Sequence, residues 1–346
     1  MNARKKEAGP ARTGRRHVLR AGLAAVALTA ALPLWTAAHA ATTWPTQPIR
    51  MVVPFPPGGS VDTVARTLGQ ALQEALGQPV IIENKPGASS VLGARYVKQA
   101  EPDGYTLLLN ASLQVANPLL LDTVTYDALK DFAPITEIGA QPQLVLVRKD
   151  SPYQTLKDLV AGAKAKPGEL TWAIAAYGAA GHLACELVNE QAGVKMEVIP
   201  YRGGGPALVD LMGGQVTAMT EPMASAYPHV KDGKLRALAV TSSQRVSAIP
   251  DVPTVAEAGY AGFDMPSWYG IWAPAGTPQP VIDKVYAATR EALKNPAVKA
   301  KFEALSFIPV GSSPQEFAAF QANEYQTYEK VIKVIKSRGA NAAPRT

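Results

Sequence analysis

Ile49-Arg50-Met51-Val52-Val53-Pro54-Phe55-Pro56-Pro57-Gly58-Gly59-Ser60-Val61-Asp62 sets the architecture of this chain. A β-branched run reads as a buried strand. The prolines stiffen the exit from it, and the two glycines let the backbone come close to a bound group. Ser60 is placed to cap a helix, whose unpaired first-turn N–H groups favour an anion. Beyond it Val61, Val64, Leu68, Ala71, Leu72 and Ala75 recur at three- and four-residue spacing, one apolar stripe of a helix over 61–76. No Gly-Lys-Ser/Thr follows, so the loop is not a nucleotide P-loop. Taken alone it reads equally as an anion cradle or as a tight turn with no ligand.

The same unit repeats downstream. Short apolar runs at 80–82, 106–109, 144–147, 170–174, 196–199 and 235–240 read as strands. Helical stripes lie at 183–188 and 208–212. Strand and helix in alternation predict parallel α/β sheets covered by helices on both faces. A helix opening with Pro278 spans 278–293, and Phe317, Phe320, Glu324, Tyr328, Val331 and Ile335 mark a long amphipathic helix whose aromatic stripe reads as core packing.

Two more Gly-rich helix starts stand out. Ala175-Ala176-Tyr177-Gly178-Ala179-Ala180-Gly181-His182 follows the run at 170–174, and two such starts from two α/β units could clasp one carboxylate. His182 at a helix head caps or packs more often than it catalyses. Tyr201-Arg202-Gly203-Gly204-Gly205 follows the run at 196–199. There Tyr201 offers an aromatic wall, and Arg202 either pairs a carboxylate bidentately or points into solvent. G-x-G-x-x-G is absent, so the glycines do not indicate a dinucleotide.

The N-terminus reads as a cleavable export signal. A basic zone ending in Arg15-Arg16-His17-Val18-Leu19-Arg20 precedes an uncharged Ala/Leu-rich stretch over 21–34 and the Ala38-His39-Ala40 processing pattern, with cleavage expected after Ala40. The stretch is too short for a helix across a bilayer of about 30 Å, and no Cys follows it for lipidation. The arginine pair resembles a twin-arginine signal. The chain carries 34 basic and 28 acidic residues, but residues 1–40 hold seven basic and one acidic. The expected mature chain is therefore neutral and offers no basic surface for nucleic acid. Its 306 residues suffice for about two domains. Cys185 is the single cysteine, so no internal disulfide or thiolate metal cluster is expected. Two histidines after residue 40, with no G-x-S-x-G, H-E-x-x-H or cofactor loop, argue against an enzyme.

Several ordered stretches resemble the periplasmic receptors of tripartite tricarboxylate transporters, also called the Bordetella uptake gene (Bug) family. They include residues 48–62, Glu83-Asn84-Lys85-Pro86-Gly87-Ala88, Pro102-Asp103-Gly104-Tyr105, Gly181-His182-Leu183-Ala184, Pro200-Tyr201-Arg202-Gly203, 233–239, 253–259 and 273–278. The resemblance implies a two-lobed α/β binding protein of the Venus-flytrap type, each lobe a doubly wound sheet with flanking helices. Lobe 1 would comprise 44–142 plus 266–346 and lobe 2 143–265, with hinges near 140–144 and 262–268. It implies capture of a small carboxylate (di- or tricarboxylate, amino acid or aromatic acid), partly through ordered water, and delivery to membrane transporter subunits. No metal, cofactor or catalytic residue is implied, and a monomer is expected. A soluble sensor for a two-component system would use the same clamp.

Carried over by the resemblance, the ligand-binding residues are Phe55, Pro57, Gly58, Gly59, Ser60 and Asp62 of the first loop, facing Tyr177, Gly178, Ala179 and Ala180 of the second. Ala111, Ser112, Tyr201 and Glu221 join them. The family usually has Ser or Thr where this chain has Ala179 and Ala180, a loss of hydroxyl donors that favours a less polar ligand such as an aromatic acid over citrate. Thr217 stands where many relatives carry an acid, and Glu221 is placed to meet an amino or hydroxyl group.

Overall fold

The computed structural model describes residues 44–337; the export signal and its processing site lie outside them. β1 (Ile49–Val53), α1 (Ser60–Leu76), β2 (Val80–Asn84), α2 (Val91–Lys98), β3 (Thr106–Ala111), α3 (Leu113–Leu120) and β4 (Phe132–Gln141) come first. A second run follows: β5 (Gln143–Arg148), α4 (Leu156–Ala165), β6 (Thr171–Ile174), α5 (Ala180–Ala192), β7 (Glu197–Pro200), α6 (Gly204–Met212), β8 (Ala218–Pro222), α7 (Met223–Lys231) and β9 (Leu235–Val240). The chain closes with β10 (Ser267–Pro274), α8 (Gln279–Lys294), α9 (Pro296–Ala304), β11 (Ile308–Pro309) and α10 (Pro314–Ser337).

These strands form two sheets, hence two α/β lobes. One is six-stranded in the order β11-β4-β10-β3-β1-β2, the other five-stranded in the order β7-β6-β8-β5-β9. The second sheet is built wholly from the continuous segment 143–240, whereas the first takes strands from both ends of the described chain. Both sheets are mixed rather than parallel throughout. β1, β2 and β3 run parallel, as do β6, β7 and β8, but β10 is antiparallel to β3 and β4, and β5 to β8 and β9. The antiparallel strands are those at which the chain passes from one sheet to the other, β4 into β5 and β9 into β10.

The apolar stripe of α1 is buried through Val61, Val64, Ala65, Leu68, Ala71 and Leu72, and it packs on the face of β1 that carries Ile49, Met51 and Val53. In the second lobe Trp172 of β6 is fully buried, and its Nε1–H donates to Thr220 Oγ1 of β8 at 3.0 Å. The aromatic stripe of α10 packs as the sequence implies. Phe317 and Phe320 meet Trp268 edge-on, and Trp268 Nε1–H donates to Glu324 Oε2 at 2.8 Å.

Several elements lie outside the expected set. β4, β8 and β10 carry Pro, Gly or Glu within the strand, which blurs their β pattern. The helix expected at 208–212 begins four residues earlier, at Gly204.

Candidate functional site

Five helices start around one small enclosed space between the two sheets. α1 and α3 come from the first lobe, and α5, α6 and α7 from the second. None of the five has a side-chain cap. A helix leaves its first N–H groups without intrahelical partners, and the peptide dipoles sum to partial positive charge at that end. At α7 the positions are filled: Met223 N–H donates to Pro142 O at 3.1 Å, and Ala224 N–H to Gln141 Oε1 at 2.7 Å. The starts of α1, α5 and α6 remain turned toward the cavity through Ser60 and Val61, Ala180 and Gly181, and Gly204.

The cavity has a volume of about 40 Å³, room for about three waters. Among the described residues no Lys, Arg or His lines it; its side-chain polar groups come from Ser60, Ser112, Gln143, Thr220, Glu221 and Ser267. The lobes approach closely at its rim. A Cβ built on Gly203 would sit 2.9 Å from Pro56 Cδ of the first lobe, and within the second lobe one on Gly204 would overlap the Glu221 carboxylate. Glycine is therefore required at 204 for the space it leaves. A second cleft of about 370 Å³ adjoins it, sharing Phe55 and Ala175 and walled by Tyr177, Tyr201, Arg202 and the turn at 87–90.

The residues singled out from sequence divide among three places. Phe55, Gly59, Ser60, Ala111, Ser112, Ala179, Ala180 and Glu221 line the small cavity. Tyr177 and Tyr201 face the adjoining cleft. The Tyr201 hydroxyl donates to Asp210 Oδ2 at 2.7 Å, and burial with that carboxylate beside it pushes the phenol up to about 12. Pro57 and Gly58 lie on the exposed turn and line neither space. Asp62 is buried beneath that turn, where its carboxylate accepts from Gly58 N–H at 3.0 Å, Arg66 Nε at 2.9 Å and Asn84 Nδ2 at 2.9 Å. Burial works against its charge, but these donors, Arg66 foremost, hold the carboxyl below its ordinary value. Asp62 thus fixes the shape of the loop. Gly178 N–H donates to His182 Nδ1 at 3.2 Å, so His182 braces the second loop. Thr217 pairs with Thr171 through reciprocal hydrogen bonds of 3.2 and 2.9 Å, away from the cavity.

Gln143, Thr220 and Ser267 carry no local signal of a site, and Gly204 reads only as part of a Gly-rich helix start. Gln143 and Ser267 open strands and Thr220 lies inside β8, and their approach to the loops is a tertiary fact. Glu221 is buried, with its Oε1 accepting from Ser225 Oγ at 2.5 Å. Burial pushes this carboxyl up to about 7, only partly offset by Ser225.

Two α/β lobes meeting over an enclosed space framed by helix starts define a two-lobed binding protein. The model of the tripartite tricarboxylate transporter family receptor matches residues 64–337, and the chain belongs to that family. Protein BugT of Bordetella pertussis is 40% identical over 85% of this chain and 90% of its own. The periplasmic binding protein BugD has a solved structure that superposes with a TM-score of 0.81 at 35% identity, covering 86% of this chain and 99% of that one. MatC from Rhodopseudomonas palustris, solved with bound malate, superposes with a TM-score of 0.80 at 34% identity, covering 84% of this chain and all of that one.

Proposed function

We propose that this protein is a periplasmic receptor that captures a small carboxylate between its lobes and delivers it to the membrane subunits of a tripartite tricarboxylate-type transporter. The observation that carries this reading is the convergence of the starts of α1, α5 and α6, without side-chain caps, on a cavity lined by no cation. Backbone N–H groups and helix dipoles supply the positive potential a carboxylate needs. The loss of hydroxyl donors at Ala179 and Ala180 leaves that supply intact. The carboxylate head occupies the small cavity and the rest of the ligand extends past Phe55 into the cleft walled by Tyr177 and Tyr201.

Among the described residues lobe 1 comprises 44–142 and 266–337, and lobe 2 comprises 143–265; the rest of the expected first lobe, 338–346, lies outside them. The hinges at 140–144 and 262–268 open and close the cleft. The receptor is exported by a signal cleaved after Ala40 and works as a monomer. Capture and release require no covalent step, and His182, buried and kept neutral, serves as a brace.

A thermal-shift screen against mono-, di- and tricarboxylates and aromatic acids tests the reading. A ligand present at about 100 times its dissociation constant adds about 2.7 kcal/mol of stability. A screen in which no carboxylate raises the melting temperature overturns the proposal.

A further inference from the structure

The Glu221 carboxylate is at odds with a site built for anions. It lines the same cavity as the starts of α1, α5 and α6 and is 1% exposed. Ser225 satisfies its Oε1, whereas Oε2 is buried with no hydrogen-bond partner in the protein. A buried acceptor left unpaired is costly, and buried polar groups in native proteins are overwhelmingly paired. Glu221 is also held in place. Gly204 leaves no room for even a methyl group beside it, so the carboxylate lies against the first residue of α6. On the far side a Cβ on Gly59 would come within 4.0 Å of Gly204 N. The starts of α1 and α6 are thus in near contact at this edge, and the free oxygen of Glu221 lines the same small cavity as the helix starts of both lobes.

We infer that this receptor selects carboxylates carrying a hydrogen-bond donor, an ammonium or a hydroxyl, on the carbon next to the carboxylate, and that Glu221 Oε2 receives that donor. The inference rests on the carboxylate reading above and narrows it to α-amino and α-hydroxy acids. Two negative groups in one enclosed space repel each other, and a donor held between them removes the conflict. No Lys, Arg or His lines the cavity to do so from the protein side.

The opposite arrangement would have Glu221 protonated and donating to the ligand carboxylate. Two observations favour Glu221 as acceptor. The Ser225 hydroxyl already donates to its Oε1 and offsets part of the rise that burial imposes, and a ligand donor at Oε2 would bring the carboxyl further toward its ionised form. The ligand carboxylate has a separate supply of donors in the helix starts, so a further one from Glu221 is redundant.

Matched ligand trios test the inference by calorimetry on the wild-type protein. Propionate, lactate and alanine form one trio; succinate, malate and aspartate a second; glutarate, 2-hydroxyglutarate and glutamate a third. In each trio only the group on one carbon changes, from hydrogen to hydroxyl to ammonium. In the trio whose length fits, the hydroxy or amino member should bind at least about tenfold tighter than its unsubstituted partner, the scale of one hydrogen bond to a charged group. Glu221→Leu, which keeps the approximate size and removes both acceptor oxygens, should compress that ratio to within about threefold. The inference is overturned if the unsubstituted acid binds as tightly as both partners, or if the preference survives in Glu221→Leu. It is also overturned, with the carboxylate reading intact, if adipate or benzoate binds and no member of any trio does. Failure of every carboxylate overturns both.

Discussion

Ser89 of the first lobe accepts a hydrogen bond from the backbone N–H of Tyr177 in the second, with a distance of 3.2 Å from N to Oγ. The bond crosses the mouth of the outer cleft. It comes from a turn in which Ala88, Ser89 and Ser90 all have positive φ, at 47°, 52° and 74°, a conformation costly for residues with a Cβ. Asn117 Nδ2 holds the turn by donating to Ser89 O at 2.6 Å. Because the Ser89–Tyr177 bond joins the lobes, it stabilises the closed form relative to an open one. Ser89→Ala should therefore weaken ligand affinity about threefold to tenfold, the worth of one net hydrogen bond. The melting temperature without ligand should stay within about 2 °C of wild type. Calorimetry and a melt on the same sample check both.

Gly204 makes a stronger prediction. A methyl group there would overlap the Glu221 carboxylate. Both residues belong to the second lobe, so Glu221 can escape only by losing Ser225 or by moving into the cavity. Overpacking of this kind costs about 1–3 kcal/mol. Gly204→Ala should thus lower the stability of the unliganded fold by that amount and affinity by roughly tenfold or more. A urea midpoint reads the first and titration calorimetry the second. Wild-type affinity in Gly204→Ala would show that the position of Glu221 has no part in binding.

The contrast between Gly59 and Gly204 shows how far sequence reaches into this site. Gly59 stands in a strand–proline–glycine–helix run whose local pattern announces a helix start, and the loops at 54–60 and 175–181 were legible for that reason. Gly204 belongs to a similar run, but its value lies in meeting Glu221, seventeen positions further on in sequence order and on strand β8. Nothing local encodes that meeting. Gln143, Thr220 and Ser267 were missed on the same grounds. β8 reads Ala-Met-Thr-Glu-Pro, and β10 mixes Ser, Trp, Gly and Pro, so neither announces itself as a strand with a site at its end. Asp62 is the converse case. Its bonds to Gly58 and Arg66 are local, four residues away on either side, but its bond to Asn84 depends on β2 lying beside β1.

Gln141 holds the junction between β4 and the second sheet from its fully buried position. Its Oε1 accepts from Ala224 N–H at 2.7 Å, and its Nε2 donates to the Tyr269 hydroxyl at 2.6 Å. Gln141→Ala removes both bonds, strands a buried N–H at the head of α7 and leaves a void. The combined cost is about 2–4 kcal/mol, to be seen as a lowered urea midpoint. A midpoint unchanged from wild type would mean that water replaces the side chain without loss.

His182 gives the fold a measurable pH dependence. It is 2% exposed, and its Nδ1 accepts from Gly178 N–H, which places the ring proton on Nε2. Glu186 Oε1 lies 3.8 Å from Nε2, too far for a hydrogen bond, and burial prevails over its charge. The imidazole is pushed down from 6.5 to about 4. As pH falls below 6.5 the unfolded chain takes up a proton that the folded chain refuses until about 4. The stabilisation is therefore complete above pH 6.5 and is lost across that window, reaching roughly 3 kcal/mol of loss by pH 4. Glu137 and Glu221, both raised to about 7 by burial, oppose it, since protonation favours the folded state there. A comparison isolates the histidine: His182→Asn keeps an acceptor for Gly178 N–H and binds no proton. The stability of wild type relative to His182→Asn should fall by roughly 3 kcal/mol between pH 7 and pH 4. Parallel curves from urea titrations across that range would show that the ring is reached by solvent in the folded state.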